Sequence, residues 1–244
     1  MRPILFTIRD HSIRSYSVML YVGAVVAVFA GNPAAHFAGL DPFRVFVADL
    51  LLLIPSLLGA KLFYALLHWR LYRQEHRTFW SRTSGATQYG AFAAAFPVSV
   101  PLLALLHLPF AAFWDIATFS ILAGMFFVRV GCFLNGCCAG RVSQSWFTLF
   151  LPNAAGVWER RVPVQCLEAA WSAGMLLIAV KFWHATPFPG ALFLISTAAY
   201  SAGRLLLLFA REPHPGATSF ALQRGISLAL VFSSLVVLTA FWPK

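Results

Sequence analysis

FAAFWDIATFSILAGMFFVRVGCFLNGCCAGR, residues 110–141, opens as an apolar run and closes on two arginines, three cysteines, three glycines and an asparagine. The portion Phe110–Phe133 is long enough to cross a bilayer core, which takes about 20 mostly apolar residues. The rest of the chain shares its character: 60% of residues are hydrophobic, 11% are charged, and the mean hydropathy is +0.76. A soluble domain carries about 45–50% apolar residues and about 25% charge. This composition excludes a water-facing globule and implies an all-α integral membrane protein.

Seven stretches qualify as spans: Tyr16–Gly31, Arg44–His68, Ala86–His107, Phe110–Phe133, Pro163–Trp183, Pro187–Ala210 and Gly225–Trp242. Pro97 and Pro101 predict a kink or break in the third. No internal repeat or low-complexity linker divides residues 1–244, so one polytopic membrane domain is expected. The opening MRPILFTIRDHSIRS lacks the apolar core and small-residue cleavage site of a secretory signal.

An odd number of spans places the termini on opposite sides. The N-terminal side receives residues 1–15, the connections 68–82, 138–162 and 211–224, and almost all the loop arginines. The positive-inside rule assigns that side to the cytoplasm. The net charge of +10 lies beside bilayer segments and suggests anionic lipid as the partner. In HWRLYRQEHRTFWSR (68–82) the mixture of arginine with aromatic residues anchors a helix at the headgroup layer, and no nucleic-acid binding is expected.

Six ionisable residues interrupt the apolar runs: Asp49, Lys61, Asp115, Arg129, Glu168 and Arg204. Each costs roughly 2.5–3.5 kcal/mol at a helix centre on insertion scales, so each calls for a reason. For Asp49 and Asp115 a structural pairing suffices. Lys61, Arg129 and Arg204 each fall 17–19 residues into a helix entering from the opposite side. At 1.5 Å per residue, each has risen roughly 25–29 Å. Three cations at one level, with Glu168 as the evident counter-charge, predict a polar pocket at headgroup depth on the N-terminal side. Its ligand would be an anion, and a lipid phosphate suits arginine's bidentate donation.

The end of the quoted stretch fits such a pocket. Gly136 and Gly140 let the backbone turn and approach a ligand, and Asn135 offers donors and an acceptor. A glycine-rich helix end without a ligand is the alternative. Cys132 and Cys166 read as buried small hydrophobes, whereas Cys137 and Cys138 lie by arginines that would lower a thiol pKa. The C-x4-C-C spacing matches no zinc pattern, so no metal site and no cofactor are expected.

These residues resemble the bacterial prolipoprotein diacylglyceryl transferase family. Arg129, Gly131, Asn135–Gly136 and Gly140–Arg141 reproduce its signature in order. RVPVQCLEA (161–169) is similar to its H-P-x-Q-L-Y-E segment, through Pro163, Gln165 and Glu168. YSAGRLLLLFAREP (200–213) is similar to its late arginine segment, through Arg204, Arg211 and Pro213. Tyr16 in IRSYSVMLYVGA (13–24), Lys61 in LLGAKLFYAL (57–66) and the loop SGATQYGAF (84–92) extend the match across residues 4–230.

The resemblance implies transfer of a diacylglyceryl group from phosphatidylglycerol to a lipobox cysteine, with Arg129 and Arg204 clamping the phosphate and Lys61 assisting. It implies a multi-pass protein of the bacterial inner membrane, with the active side periplasmic, against the charge count. Tyr16, Lys61, Cys132, Asn135, Gly136, Gly140, Arg141, Gln165, Glu168 and Arg211 become expected substrate-binding positions. Four positions depart from the family: Tyr89 replaces a histidine, Cys132 an asparagine, and Cys137 and Leu208 glutamates. A tyrosine, with an ordinary pKa near 10, serves in acid–base chemistry only if cations lower that value. Tyr89 and Cys137 therefore join Arg129 and Arg204 as catalytic candidates, with Cys137 or Cys138 a nucleophile. The function expected is a phospholipid-dependent transferase acting on a thiol or other acceptor. Its alternative is a non-catalytic phospholipid-binding protein or partner subunit. A transporter is disfavoured by the lack of a repeat.

Overall fold

In the computed structural model, which describes residues 4–8, 11–69, 73, 87–153, 156–212 and 220–243, helix formation follows the apolar runs closely. The long helices are α1 (Ser15–Ala30), α3 (Pro42–Leu67), α4 (Gln88–Leu105), α5 (Phe110–Asn135), α6 (Val164–Phe182), α7 (Ala191–Leu208) and α8 (Phe220–Phe241). A short α2 (Asn32–Phe37) prolongs the first span, and all seven spans are long and apolar enough to cross a membrane. The loop 68–82 is described only at His68, Trp69 and Arg73; residues 84–86 and Pro213 lie outside the described residues.

Of the kink or break expected at Pro97 and Pro101, the break does not occur: α4 is continuous through both prolines. Between the prolines, buried Ser99 donates to the Phe96 carbonyl at 2.6 Å and accepts from Trp114 Nε1 at 3.2 Å. Such side-chain bonds compensate the backbone that proline disrupts inside a membrane helix.

α5 is the central post, packed against α1, α2, α4, α6 and α7. Phe113, Trp114, Ile116, Phe119 and Leu122 on it anchor the buried cluster, joined by Val45, Leu52 and Leu103. α3 and α4 cross closely at Gly59 and Gly90, in keeping with small residues at membrane helix contacts. The outward faces remain apolar, with Leu50, Ile54, Leu57 and Leu177 exposed for lipid.

The two aspartates have structural partners. Asp49 accepts from Ser120 Oγ at 2.8 Å. Asp115 accepts from the backbone N–H groups of Gly190 (2.6 Å) and Phe193 (2.9 Å), capping the start of α7 from a neighbouring helix.

The all-α expectation missed two antiparallel hairpins: β1 (Ile4–Ile8) with β2 (His11–Arg14), and β3 (Leu149–Pro152) with β4 (Trp158–Arg161). Both lie in segments of the N-terminal side, and their strands of four or five residues are too short to stand out beside the long apolar runs.

Candidate lipid-phosphate site

α5, α6 and α7 each bring one buried charge to the same point. Glu168, in the second turn of α6 and 3% exposed, faces Arg129 near the end of α5 and Arg204 near the end of α7. Arg129 Nε lies 3.0 Å from Oε2, and Arg204 Nη1 donates to Oε1 at 2.5 Å. Arg211, three residues beyond α7, donates through Nη2 to both carboxylate oxygens, at 2.9 and 2.8 Å. The four groups carry three positive charges against one negative, a surplus of two. Burial, then the charge of Arg204, pushes Arg211 below its ordinary pKa, with Glu168 opposing.

A buried ion pair seldom stabilises a fold beyond what apolar packing would give. An unbalanced one is worse, so a surplus of buried cations suits an anion rather than stability. The surrounding groups hold the guanidiniums in place while leaving donors over. Arg129 Nη2 donates to Gln88 Oε1 at 3.0 Å, and Arg204 Nη2 to Gln223 Oε1 at 3.2 Å. The Nε atoms of both are buried without a hydrogen-bond partner among the described residues; Arg129 Nε is near Glu168 but poorly aligned with it.

The chain leaving α5 is stitched to this cluster. Gly136 ends the helix at φ 74°, a left-handed conformation that L side chains disfavour. Gln165 Nε2 donates to the Cys137 carbonyl at 2.7 Å. Gly140 and Arg141 donate backbone N–H groups to Val162 and Ala210, both at 2.8 Å. A Cβ on Gly140 would meet Ala210 O at 2.6 Å and Val162 O at 2.7 Å, so no larger residue fits there unshifted. Buried Arg161, unremarked in the sequence, pairs with Glu159 and Glu212 and donates to the Gly140 carbonyl at 3.4 Å.

Beside the cluster lies a cavity of about 720 Å³ between α3, α4, α5, α7 and α8. Gln88, Tyr89, Tyr200 and Arg204 line it towards the N-terminal side; Phe92, Phe96, Met125, Leu194 and Phe193 line it towards the core. Arg204 and Phe193 stand eleven residues apart on one helix, about 16 Å at 1.5 Å per residue. A polar pocket at headgroup depth on the N-terminal side was expected, and the arginine–glutamate cluster supplies polar groups on that side. The cavity beside it is mostly apolar and runs down the helices, with Thr118, Ser196 and Ser234 as polar interruptions of its wall.

The sequence candidates divide accordingly. Arg129, Arg204, Arg211 and Glu168 converge. Lys61 is not among the cations paired with Glu168, where Arg211 is the third. Tyr89 lines the cavity, but its hydroxyl pairs with Ser227 Oγ at 3.1 Å rather than with an arginine. Tyr16 packs against Gly131. Arg141 is exposed and contributes its backbone to the staple, and Gln165 and Gly140 position that same turn. Asn135 and Gly136 form the helix end. Gln88, Gln223, Tyr200 and Ser227 were not anticipated; the available signal was uncharged polar residues in or beside otherwise apolar helices.

Cys132, Cys137 and Cys138 bring their sulfurs within 4.8 Å of one another, a convergence the spacing had not suggested. Cys166 is half-buried and apart from this group. Hydrogen bonds from Cys132 and Cys137 hold the Cys138 thiol well below its ordinary pKa, with Arg211 and Arg129 acting in the same sense. Cys137 departs from expectation: its hydrogen bond with Cys132 lowers its pKa, but the bond with Cys138 and burial outweigh this and raise it to about 11.

Comparison with known proteins identifies the family. The sequence profile of the family described as prolipoprotein diacylglyceryl transferase matches residues 3–242. Proteins named phosphatidylglycerol–prolipoprotein diacylglyceryl transferase are similar along most of their length. That of Sinorhizobium medicae is 25% identical, over 98% of this chain and 90% of its own. That of Geobacter sulfurreducens is 28% identical, over 86% of this chain and 82% of its own. That of Clostridium tetani is 22% identical, over 97% and 96%. With seven spans in the expected order and a match from end to end, the chain belongs to the prolipoprotein diacylglyceryl transferase family.

Proposed function

We propose that the protein transfers a diacylglyceryl group from phosphatidylglycerol to the thiol of a lipoprotein precursor, within the bacterial inner membrane. One observation carries the reading: three arginines share a single buried carboxylate beside a long apolar cavity. The cavity takes acyl chain, and the surplus charge takes the phosphodiester.

In the reaction, the acceptor sulfur attacks the glyceryl carbon that carries the phosphate ester. A C–S bond forms, the C–O bond breaks, and glycerol phosphate leaves with the electron pair and an added negative charge. In this proposal Arg204, on the cavity wall, meets that charge with Arg129 and Arg211 beside it on the same carboxylate, and preorganised donors in a dry site stabilise it without reorganising. Glu168 holds them together against mutual repulsion. The thiol proton passes to the departing phosphate, which gains a charge as the C–O bond breaks, and the Tyr89 hydroxyl, on the cavity wall with Ser227 as its hydrogen-bond partner, is the proposed relay: it accepts the thiol proton as it gives up its own. The active side faces the periplasm in this proposal; in a chain whose four native cysteines are replaced by serine, a Trp146→Cys substitution, at a position 95% exposed in the α5–α6 connection, should react with an impermeant maleimide added outside spheroplasts.

The test is direct. Purified protein in mixed micelles with phosphatidylglycerol and a lipobox peptide should release glycerol phosphate and yield the thioether-linked peptide by mass spectrometry. Absence of both overturns the transferase reading. A second reading is favoured by one observation: Tyr89, Cys132, Cys137 and Leu208 stand where the family carries acid–base or polar groups, and Leu208 is buried. A lipid-binding protein without turnover would retain phosphatidylglycerol through purification and release no headgroup.

A further inference from the structure

We propose that Cys132, Cys137 and Cys138 form a binding site for a soft, thiol-seeking metal ion of the Zn²⁺ or Cu⁺ kind. The proposal stands apart from the transferase reading and departs from what the cysteine spacing suggested. All three are free, and their sulfurs lie within 4.8 Å of one another. At a Zn–S distance of about 2.3 Å, three thiolates around one ion stand roughly 3.8–4.0 Å apart. Each sulfur thus needs to move inward by no more than about half an ångström, within side-chain adjustment.

The backbone is bent to make this meeting possible. Gly136 (φ 74°) turns the chain out of α5, and Cys138 is itself left-handed at φ 64°, one of two non-glycine residues with positive φ among those described. An L residue without an Asn-like side chain rarely adopts that region. The turn is fixed from both sides: the Cys137 N–H donates to the Cys132 carbonyl at 3.1 Å, and Gln165 clamps the Cys137 carbonyl. Burial is graded, from buried Cys132 through half-buried Cys137 to exposed Cys138, so an ion has a route in and an open coordination position on the exposed side. An all-sulfur donor set selects soft ions over Mg²⁺ or Ca²⁺. Three thiolates around Zn²⁺ or Cu⁺ leave net negative charge, which lies against Arg129, one turn back on α5, and Arg211, backbone-paired with Gly140.

The full chain, purified reduced and metal-free in detergent, is titrated with Zn²⁺ and, anaerobically, with Cu⁺, each against a chromophoric chelator of known affinity. Thiol alkylation is counted before and after. One ion per chain is expected for at least one of the two metals, with three of the four thiols protected from maleimide. Cys166→Ser should bind as the parent does, whereas Cys138→Ser, at the exposed position, should lose both binding and protection while eluting as the same monodisperse species. Failure to take up either ion against the chelator, equal uptake by Cys138→Ser, or a disulfide or lipid thioether on these cysteines in the intact mass would overturn the assignment.

Discussion

Helix α5 carries a buried charge near each end, and the two are treated differently. Asp115, near its start, has its carboxylate filled by two backbone N–H groups of the α7 turn. Arg129, near its finish, shares one carboxylate with two further arginines. The first charge ends its interactions within the protein and fastens one helix to another. The second belongs to a group with positive charge left over. Both cost free energy to bury; only the second leaves that cost to be offset from outside. A buried charge with a complete set of partners is architecture, and a buried surplus points to a ligand.

The sharpest way to break this contrast is Glu168→Ala. It removes the shared carboxylate and leaves three cations facing one another, so destabilisation of about 3–5 kcal/mol is expected. Thermal unfolding in detergent measures it, and added phosphatidylglycerol should recover part of the loss. No loss of stability would mean that the arginines are not held against repulsion at all. Arg204→Ala comes next. Stability should change less, and headgroup release should fall on the order of 10²–10³-fold, the cost of one transition-state donor. A variant that transfers at the parent rate removes the phosphate role from this residue.

Tyr89→Phe is expected to lower transfer on the order of 10²-fold while phosphatidylglycerol is still retained. Equal rates would leave Tyr89 a wall of the cavity only. The smallest effect sharpens the other side of the comparison: Asp115→Ala should cost about 0.5–2 kcal/mol of stability, as loss of a helix cap does. Transfer per folded molecule should stay unchanged, because Asp115 bonds the α7 start and lies more than ten residues from Arg129 along α5. A larger activity defect in Asp115→Ala than in Arg204→Ala would reverse the assignment of the two ends.

The amino-acid order alone determined the seven spans, the side that gathers the arginines, and the family. Helix length, hydropathy and motif order are local properties, and lipid demands that every backbone group be satisfied within its own segment. It also marked Arg129, Arg204 and Glu168, since a charge inside hydrocarbon stands out in any window, whereas Arg211, beyond the end of α7, entered only through the family resemblance. What only the tertiary structure decided was which side chains meet. It put Arg211 on Glu168, tied Tyr89 to Ser227, recruited Gln88 and Gln223, and drew three sulfurs together through the left-handed turn at Gly136 and Cys138. Rotation of one helix against another is set by packing between distant segments, and no stretch of sequence contains it.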